Sequence, residues 1–170
     1  MNDYECEKHF NKVYRPTMNN IWPENELIED KERQIQGIDL ISADGLNIDN
    51  KFDRYDNDNF VYEISNEHHL YENAYGKGDK KTDIIAYWKI ATGKLYLYRY
   101  EDIVRFATTK TFKERYTHQV NSRYHNGSLT KFKVFHCEEI PYIAKYRIKK
   151  DTDYAKESKD DNWLYYGINY

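Results

Sequence analysis

Cysteine is nearly missing from this chain. Cys6 and Cys137 are its two representatives among 170 residues, too few for a disulfide-stapled scaffold and better suited to a reducing compartment as ordinary buried thiols. No apolar run approaches the roughly 18 to 20 residues of a membrane-spanning helix. The opening Met-Asn-Asp-Tyr-Glu-Cys-Glu has neither the basic start nor the hydrophobic stretch of an export signal. No membrane partner is expected, and the expected location is the cytoplasm. Proline (3) and glycine (7) are scarce, and there is neither an internal repeat nor a low-complexity linker, so a single domain over residues 1–170 is expected. An excess of one charge is missing as well: Lys and Arg number 26, Asp and Glu 29, and the pI is near 6.1. Global attraction to nucleic acid is thereby excluded, and any such contact needs a local basic surface.

Aromatic residues are plentiful, at 16%, with 18 tyrosines. Without those tyrosines the apolar share falls well below the ~45–50% usual for soluble domains. The low net charge and the many rings still favour folding over disorder. Tyrosine must therefore do much of the core packing, and each buried hydroxyl then needs a partner.

The spacing predicts a helix from Asp3 to Tyr14, stopped by Pro16, with Cys6, Phe10, Val13 and Tyr14 on one side. Asp3 and Glu7 flank that side and Glu5 points away. Pro23 to Arg33 reads as a helical turn or loop. Strands are expected at Gln36–Ile41, Leu46–Phe52, Phe60–Ser65, Asp83–Ile90, Lys94–Tyr100 and Lys131–Cys137, with further ones at Tyr142–Ile148 and Trp163–Tyr170. Ile84 to Trp88 is apolar on both faces, as in a central strand. Acidic residues open a helix from Glu101 to about Phe106. The fold class is α/β, bordering on α+β: a mixed central sheet flanked by helices.

The hairpin around Ser42-Ala43-Asp44-Gly45 is decided by its apolar pattern. A two-residue turn would put Ile38 and Leu40 on the opposite face from Leu46, Ile48 and Phe52. A three-residue loop with Gly45 left-handed instead sets Leu40 opposite Ile48 and gathers the even positions on one side. The odd positions then bring Asp39 opposite Asp49, with Lys51 next on the same face. Opposed carboxylates repel each other, and a divalent cation is the obvious remedy. Asp39 and Asp49 offer the hard oxygens that Mg²⁺ prefers. Lys51 would orient or deprotonate a water, or neutralise charge on a phosphate. Glu63 extends this acidic site if its strand pairs in register, and Glu7 can join from the helix.

Gln34-Ile35-Gln36-Gly37-Ile38-Asp39-Leu40-Ile41, the Asp-Gly hairpin and Ile48-Asp49-Asn50-Lys51-Phe52 together resemble the core of the PD-(D/E)XK, restriction-endonuclease-like nuclease superfamily. Asp39 matches its first strand aspartate and Asp49-Asn50-Lys51 its acidic-x-Lys step. Lys81-Thr82-Asp83-Ile84-Ile85-Ala86-Tyr87-Trp88, the hairpin to Tyr100 and Glu101-Asp102-Ile103 are similar to small members encoded by bacteria and phages. The resemblance covers about residues 3–106, leaving 107–170 as a C-terminal elaboration. Gly37 stands where some members have Pro, and Asp49 where many have Glu. The resemblance implies a restriction-endonuclease-like fold and a Mg²⁺-dependent phosphodiesterase acting on DNA in a bacterial or phage-infected cell, with Mn²⁺ able to substitute. It further implies that a helical Glu, best matched by Glu7, completes the site. A homodimer would supply the two sites needed to cut two strands. The competing reading is a catalytically silent binding protein on the same fold, such as a phage inhibitor docked on a host enzyme or defence complex.

Other residues carry two readings each. Asp83 with Lys81 is either a phosphodiester contact or a polar strand start, and Gln34 and Gln36 either touch the site or enter a strand. Cys6, His9, His136 and Cys137 are zinc-type ligands, but His136 and Cys137, adjacent on a strand, point to opposite faces. His68 and His69 read as surface residues. Tyr96, Tyr98 and Tyr100 either stack on bases or pack a sheet face. The alternation of Lys145, Arg147, Lys149 and Lys150 either follows a phosphate backbone or protects an edge strand.

Overall fold

Residues 3–66, 69–70, 80–108, 120–123, 129–151 and 153 are described by the computed structural model. Trp163–Tyr170 and His68 lie outside them. Helix α1 (Asp3–Val13) runs almost directly into α2 (Arg15–Ile21), because Pro16 stands in the first turn of α2. There a missing N–H costs nothing, so this proline begins a helix where a stop is expected. Next come β1 (Glu26–Leu27), α3 (Lys31–Ile35) capped by the Asp30 side chain, β2 (Leu40–Ile41) and β3 (Asn47–Asp53). The remaining described elements are β4 (Asn59–Asn66), β5 (His69–Leu70), β6 (Ile84–Lys89), β7 (Lys94–Arg99), α4 (Tyr100–Thr108), β8 (Val120–Arg123), β9 (Leu129–His136) and β10 (Ala144–Arg147).

A six-stranded sheet has the order β1-β2-β3-β6-β7-β10. β3 and β6 run parallel, and the other pairs are antiparallel. The sheet is therefore mixed, as expected, and mostly antiparallel. Leu40 pairs with Ile48 and Gly45 takes φ 86°, the three-residue hairpin that the apolar pattern selects. The strand expected from Gln36 is shorter, since α3 continues to Ile35 and Gln36 caps it.

Even positions of β3 and β6 face α1 and α2, where Phe10, Tyr14 and Met18 pack with Ile48, Trp88 and Leu95. The opposite face carries Ile85, Tyr87, Tyr96 and Tyr98, covered by Ile103 of α4 and by Phe60, Tyr62 and Phe135. These last three belong to a four-stranded sheet of order β5-β4-β9-β8. Tyrosine does fill the core, and three of its hydroxyls have clear partners: Tyr14 donates to Lys149 O (2.9 Å), Tyr98 to Cys137 O (2.7 Å) and Tyr87 to Asp53 Oδ2 (3.0 Å). Tyr96 and Tyr98 are fully buried and so pack the sheet. Lys145 and Arg147 sit on β10, the last strand of the larger sheet, with Lys145 paired to Glu138 at 2.5 Å.

Candidate active site

Asp39 enters the site just ahead of β2. Its N–H donates to Ile48 O (2.9 Å), its carbonyl accepts from Ile28 N (2.8 Å), and its Oδ2 accepts from Asn50 N (2.7 Å). The carboxylate is thus pinned against β3 beside Asp49. Asp49 is 1% exposed and Asp39 6%, so two acids share a site almost closed to water. Lys51 Nζ lies 2.7 Å from Asp49 Oδ1, with its side chain one-third exposed. The three residues read from the hairpin register are therefore brought together.

A fourth residue, unforeseen from the sequence, joins them. Lys80 Nζ lies 2.9 Å from Asp49 Oδ2, and its side chain is 9% exposed. Lys80 sits in the segment before β6, where no periodicity indicates where a side chain points. The segment is tied down by Lys81 N donating to Gln36 O (2.9 Å) and by Thr82 Oγ1 donating to Gly37 O (2.7 Å).

Gly37 makes the contact possible. It has φ 75°, and a Cβ there would meet Thr82 Oγ1 at 2.4 Å and Lys80 Cδ at 3.0 Å. Gly37→Ala is expected to destabilise the fold by about 2 kcal/mol through left-handed strain and the clash with a bonded hydroxyl. Urea melts check this, and a loss under ~0.5 kcal/mol contradicts it.

Glu7 lies on the inner side of α1, next to buried Cys6 and one turn from Phe10, while Glu5 is exposed. It is within electrostatic range of Lys51, Asp49 and Asp39. Burial raises its pKa, with Lys51 opposing. Glu63 falls on β4, whose sheet does not include β3. The expected in-register extension is absent because β6 takes the place beside β3. The Glu63 side chain lies outside the described ones. Asp83 is a strand start: its Oδ2 accepts from Asn47 N at 2.8 Å. Gln34 lies within α3, not at a strand entry, and donates to Ile28 O (2.9 Å). Of the zinc-type residues, Cys6 accepts from Arg54 (3.2 Å) and His9 pairs with Asp151 (2.9 Å).

The electrostatics follow from this geometry. Burial, then the neighbouring Asp49 charge, push the Asp39 pKa up to about 7. Burial also opposes the charge on Asp49, but Lys51 and Lys80 outweigh it and hold this carboxyl below the usual range. Burial likewise opposes the charge on Lys51, but Asp49 and Asp39 raise its pKa. For Lys80, burial and then Lys51 lower it.

Between pH ~4 and ~7 the folded protein thus keeps a proton on Asp39 that the unfolded chain has lost, so this group's stabilisation fades as pH rises. Metal-free protein is expected to lose about 2 kcal/mol or more relative to Asp39→Asn across that window. Urea melts at pH 4.5, 6 and 7.5 check this, and parallel curves for the two proteins would contradict it.

Among the described residues, no three His, Cys, Asp or Glu side chains stand together as a finished metal cage. The donor chemistry nevertheless fits Mg²⁺, which typically takes one or two carboxylates and fills its remaining positions with water and phosphate. Asp39 and Asp49 would hold it. A proton on Asp39 and an ammonium on Asp49 occupy the oxygens that a divalent ion would neutralise. Comparison with protein-family models, with curated proteins and with solved structures finds no match to this chain.

Proposed function

We propose that this protein is a Mg²⁺-dependent nuclease that hydrolyses DNA phosphodiester bonds on a restriction-endonuclease-like core. One observation carries the reading: two nearly buried carboxyl groups share one end of a hairpin, each raising the cost of ionising the other, with a lysine that reaches partly into solvent. Carboxyl groups perturbed by burial and by one another cluster at binding and catalytic sites.

Mg²⁺, with Mn²⁺ able to replace it, would supply Lewis acidity and charge neutralisation at the phosphate. The chain's own residues do the rest. Asp49 presents its oxygens from β3 and Asp39 from the position just ahead of β2. Lys51, held on Asp49 and partly exposed, donates to the attacking water or to a phosphate oxygen as charge builds there. Glu7 adds a carboxylate from α1 that can orient the water. In-line attack by that water then breaks one P–O bond and leaves a phosphate and a hydroxyl.

The test is incubation with supercoiled, linear and single-stranded DNA, with Mg²⁺, Mn²⁺ or EDTA, beside Lys51→Ala. Metal-dependent cutting that falls about 10²- to 10³-fold in the variant is expected. An unchanged rate in the variant, or no cutting of any DNA, contradicts the proposal.

A second reading is favoured by one feature. Both oxygens of Asp49 are already met by ammonium groups, so the cluster can also stand as a self-neutralised relic in a protein that binds a host enzyme or defence complex. Absence of both cutting and Mg²⁺ binding in folded protein would select that reading.

A further inference from the structure

Lys80 does more than complete a salt bridge, although its role toward substrate rests on the nuclease reading above. An ammonium on Asp49 Oδ2 at 2.9 Å and a divalent cation seek the same oxygen. The two cannot both hold it at full strength. Lys51 is bound to the other oxygen and is one-third exposed, whereas Lys80 is almost wholly enclosed. The enclosure is built: the Gly37 backbone leaves the space a Cβ would fill at 3.0 Å from Lys80 Cδ and 3.2 Å from its Nζ. The bonds of Thr82 Oγ1 and Lys81 N to residues 37 and 36 fix the backbone on Lys80's C-terminal side.

We propose that Lys80 is the resident cation of this site, holding Asp49 Oδ2 until a divalent ion displaces it and then positioning the substrate phosphate that the ion binds. An ammonium displaced from Asp49 stays beside any phosphate drawn to an ion on the same carboxylate. Lysine suits this task, being a compact point charge on a flexible stem. Lys80 is accordingly a positioning residue in addition to the three-residue motif.

Mn²⁺ titration calorimetry and DNA cleavage kinetics on wild type, Lys80→Met and Lys80→Arg test it. Removing the competing ammonium is expected to tighten Mn²⁺ binding in Lys80→Met about 3- to 10-fold. The same change slows cleavage about 10- to 100-fold, with a raised KM for DNA. Lys80→Arg keeps the charge and stays within about threefold of wild type in Mn²⁺ affinity. A merely structural lysine would weaken both properties together when removed. Unchanged or weaker Mn²⁺ binding in folded Lys80→Met, or no Mn²⁺ binding by any form, overturns the inference. Tighter Mn²⁺ binding by Lys80→Met in a protein that cuts no DNA removes the nuclease reading and sustains the exchange at Asp49. Cutting by wild type without tighter binding in the variant does the reverse. Should Lys80→Met fail to fold, Lys80→Gln, neutral and able to donate one hydrogen bond to Asp49, carries the same expectations.

Discussion

Asp49→Ala is expected to abolish metal-dependent DNA cleavage, by about 10³-fold or more, and to weaken the fold at the same time. Asp49 is the shared partner of two ammonium groups, at 2.7 and 2.9 Å. Its loss leaves two lysine charges close together in a largely enclosed site, offset by Asp39 and, at Lys51, by Glu7. Removing one side of a buried ion pair costs about 3–5 kcal/mol because the other side is left uncompensated. On the proposed nuclease reading, the catalytic loss would reflect a missing ligand for the ion that neutralises the phosphate. The two effects separate in a second variant. Asp49→Asn combined with Lys80→Met removes a negative and a positive charge together, so it should recover much of the stability and none of the activity. Thermal melts and cleavage rates on both proteins check this. Recovery of cleavage in the double variant would show that Asp49 matters through the fold alone.

Lys89→Met is expected to produce the largest stability loss away from the site. Lys89 is fully buried, and its Nζ donates to Asp53 Oδ2 (2.7 Å), Asn57 Oδ1 (3.2 Å) and Asn59 O (3.1 Å). Through these bonds the end of β6 in the larger sheet grips the start of β4 in the smaller one. Tyr87 reinforces the grip, donating to Asp53 Oδ2 and accepting from Val61 N (3.1 Å), with its ring stacked 4.4 Å from Phe60. Methionine keeps the volume and none of the donors. Asp53 retains Tyr55 N and Tyr87 hydroxyl contacts, so the expected loss is about 3 kcal/mol, at the lower end for a broken buried pair. DNA cleavage should stay within a few-fold of wild type. Urea denaturation measures the first quantity, and a loss below ~1 kcal/mol would mean that packing, not this network, joins the two sheets.

The parts of the fold legible in the sequence are those where local pattern and packing agree. The hairpin register was decided by apolar alternation on Leu40, Ile48 and Phe52 together with the left-handed tolerance of Gly45, and that same register carries Asp39 and Lys51 to Asp49. β6 was legible because both its faces are apolar, and Glu7 because helical spacing puts it beside Cys6 and Phe10. Contacts between distant segments were hidden. Lys80 meets Asp49 from a stretch without periodicity. Glu63 joins the site only if β4 pairs with β3 in register, but the chain sends β4 into the second sheet and returns to place β6 parallel to β3. That choice depends on Phe60 packing between Tyr87 and Phe135 and on the Lys89 network. Pro16 and Gln36 mark a subtler limit: each sits at a helix end, and tertiary packing decides on which side of it the helix lies.

On the proposed reading, Asp39 and Asp49 form a divalent-cation site serving phosphate chemistry. Its most direct test is Mg²⁺ calorimetry on wild type and Asp39→Asn near pH 6.5, in two buffers of different ionisation enthalpy. One ion per chain is expected, bound with release of part of a proton as Asp39 ionises, with both signals lost in Asp39→Asn. A folded wild type that binds no Mg²⁺, or binds it with the same proton count and affinity as Asp39→Asn, would contradict it.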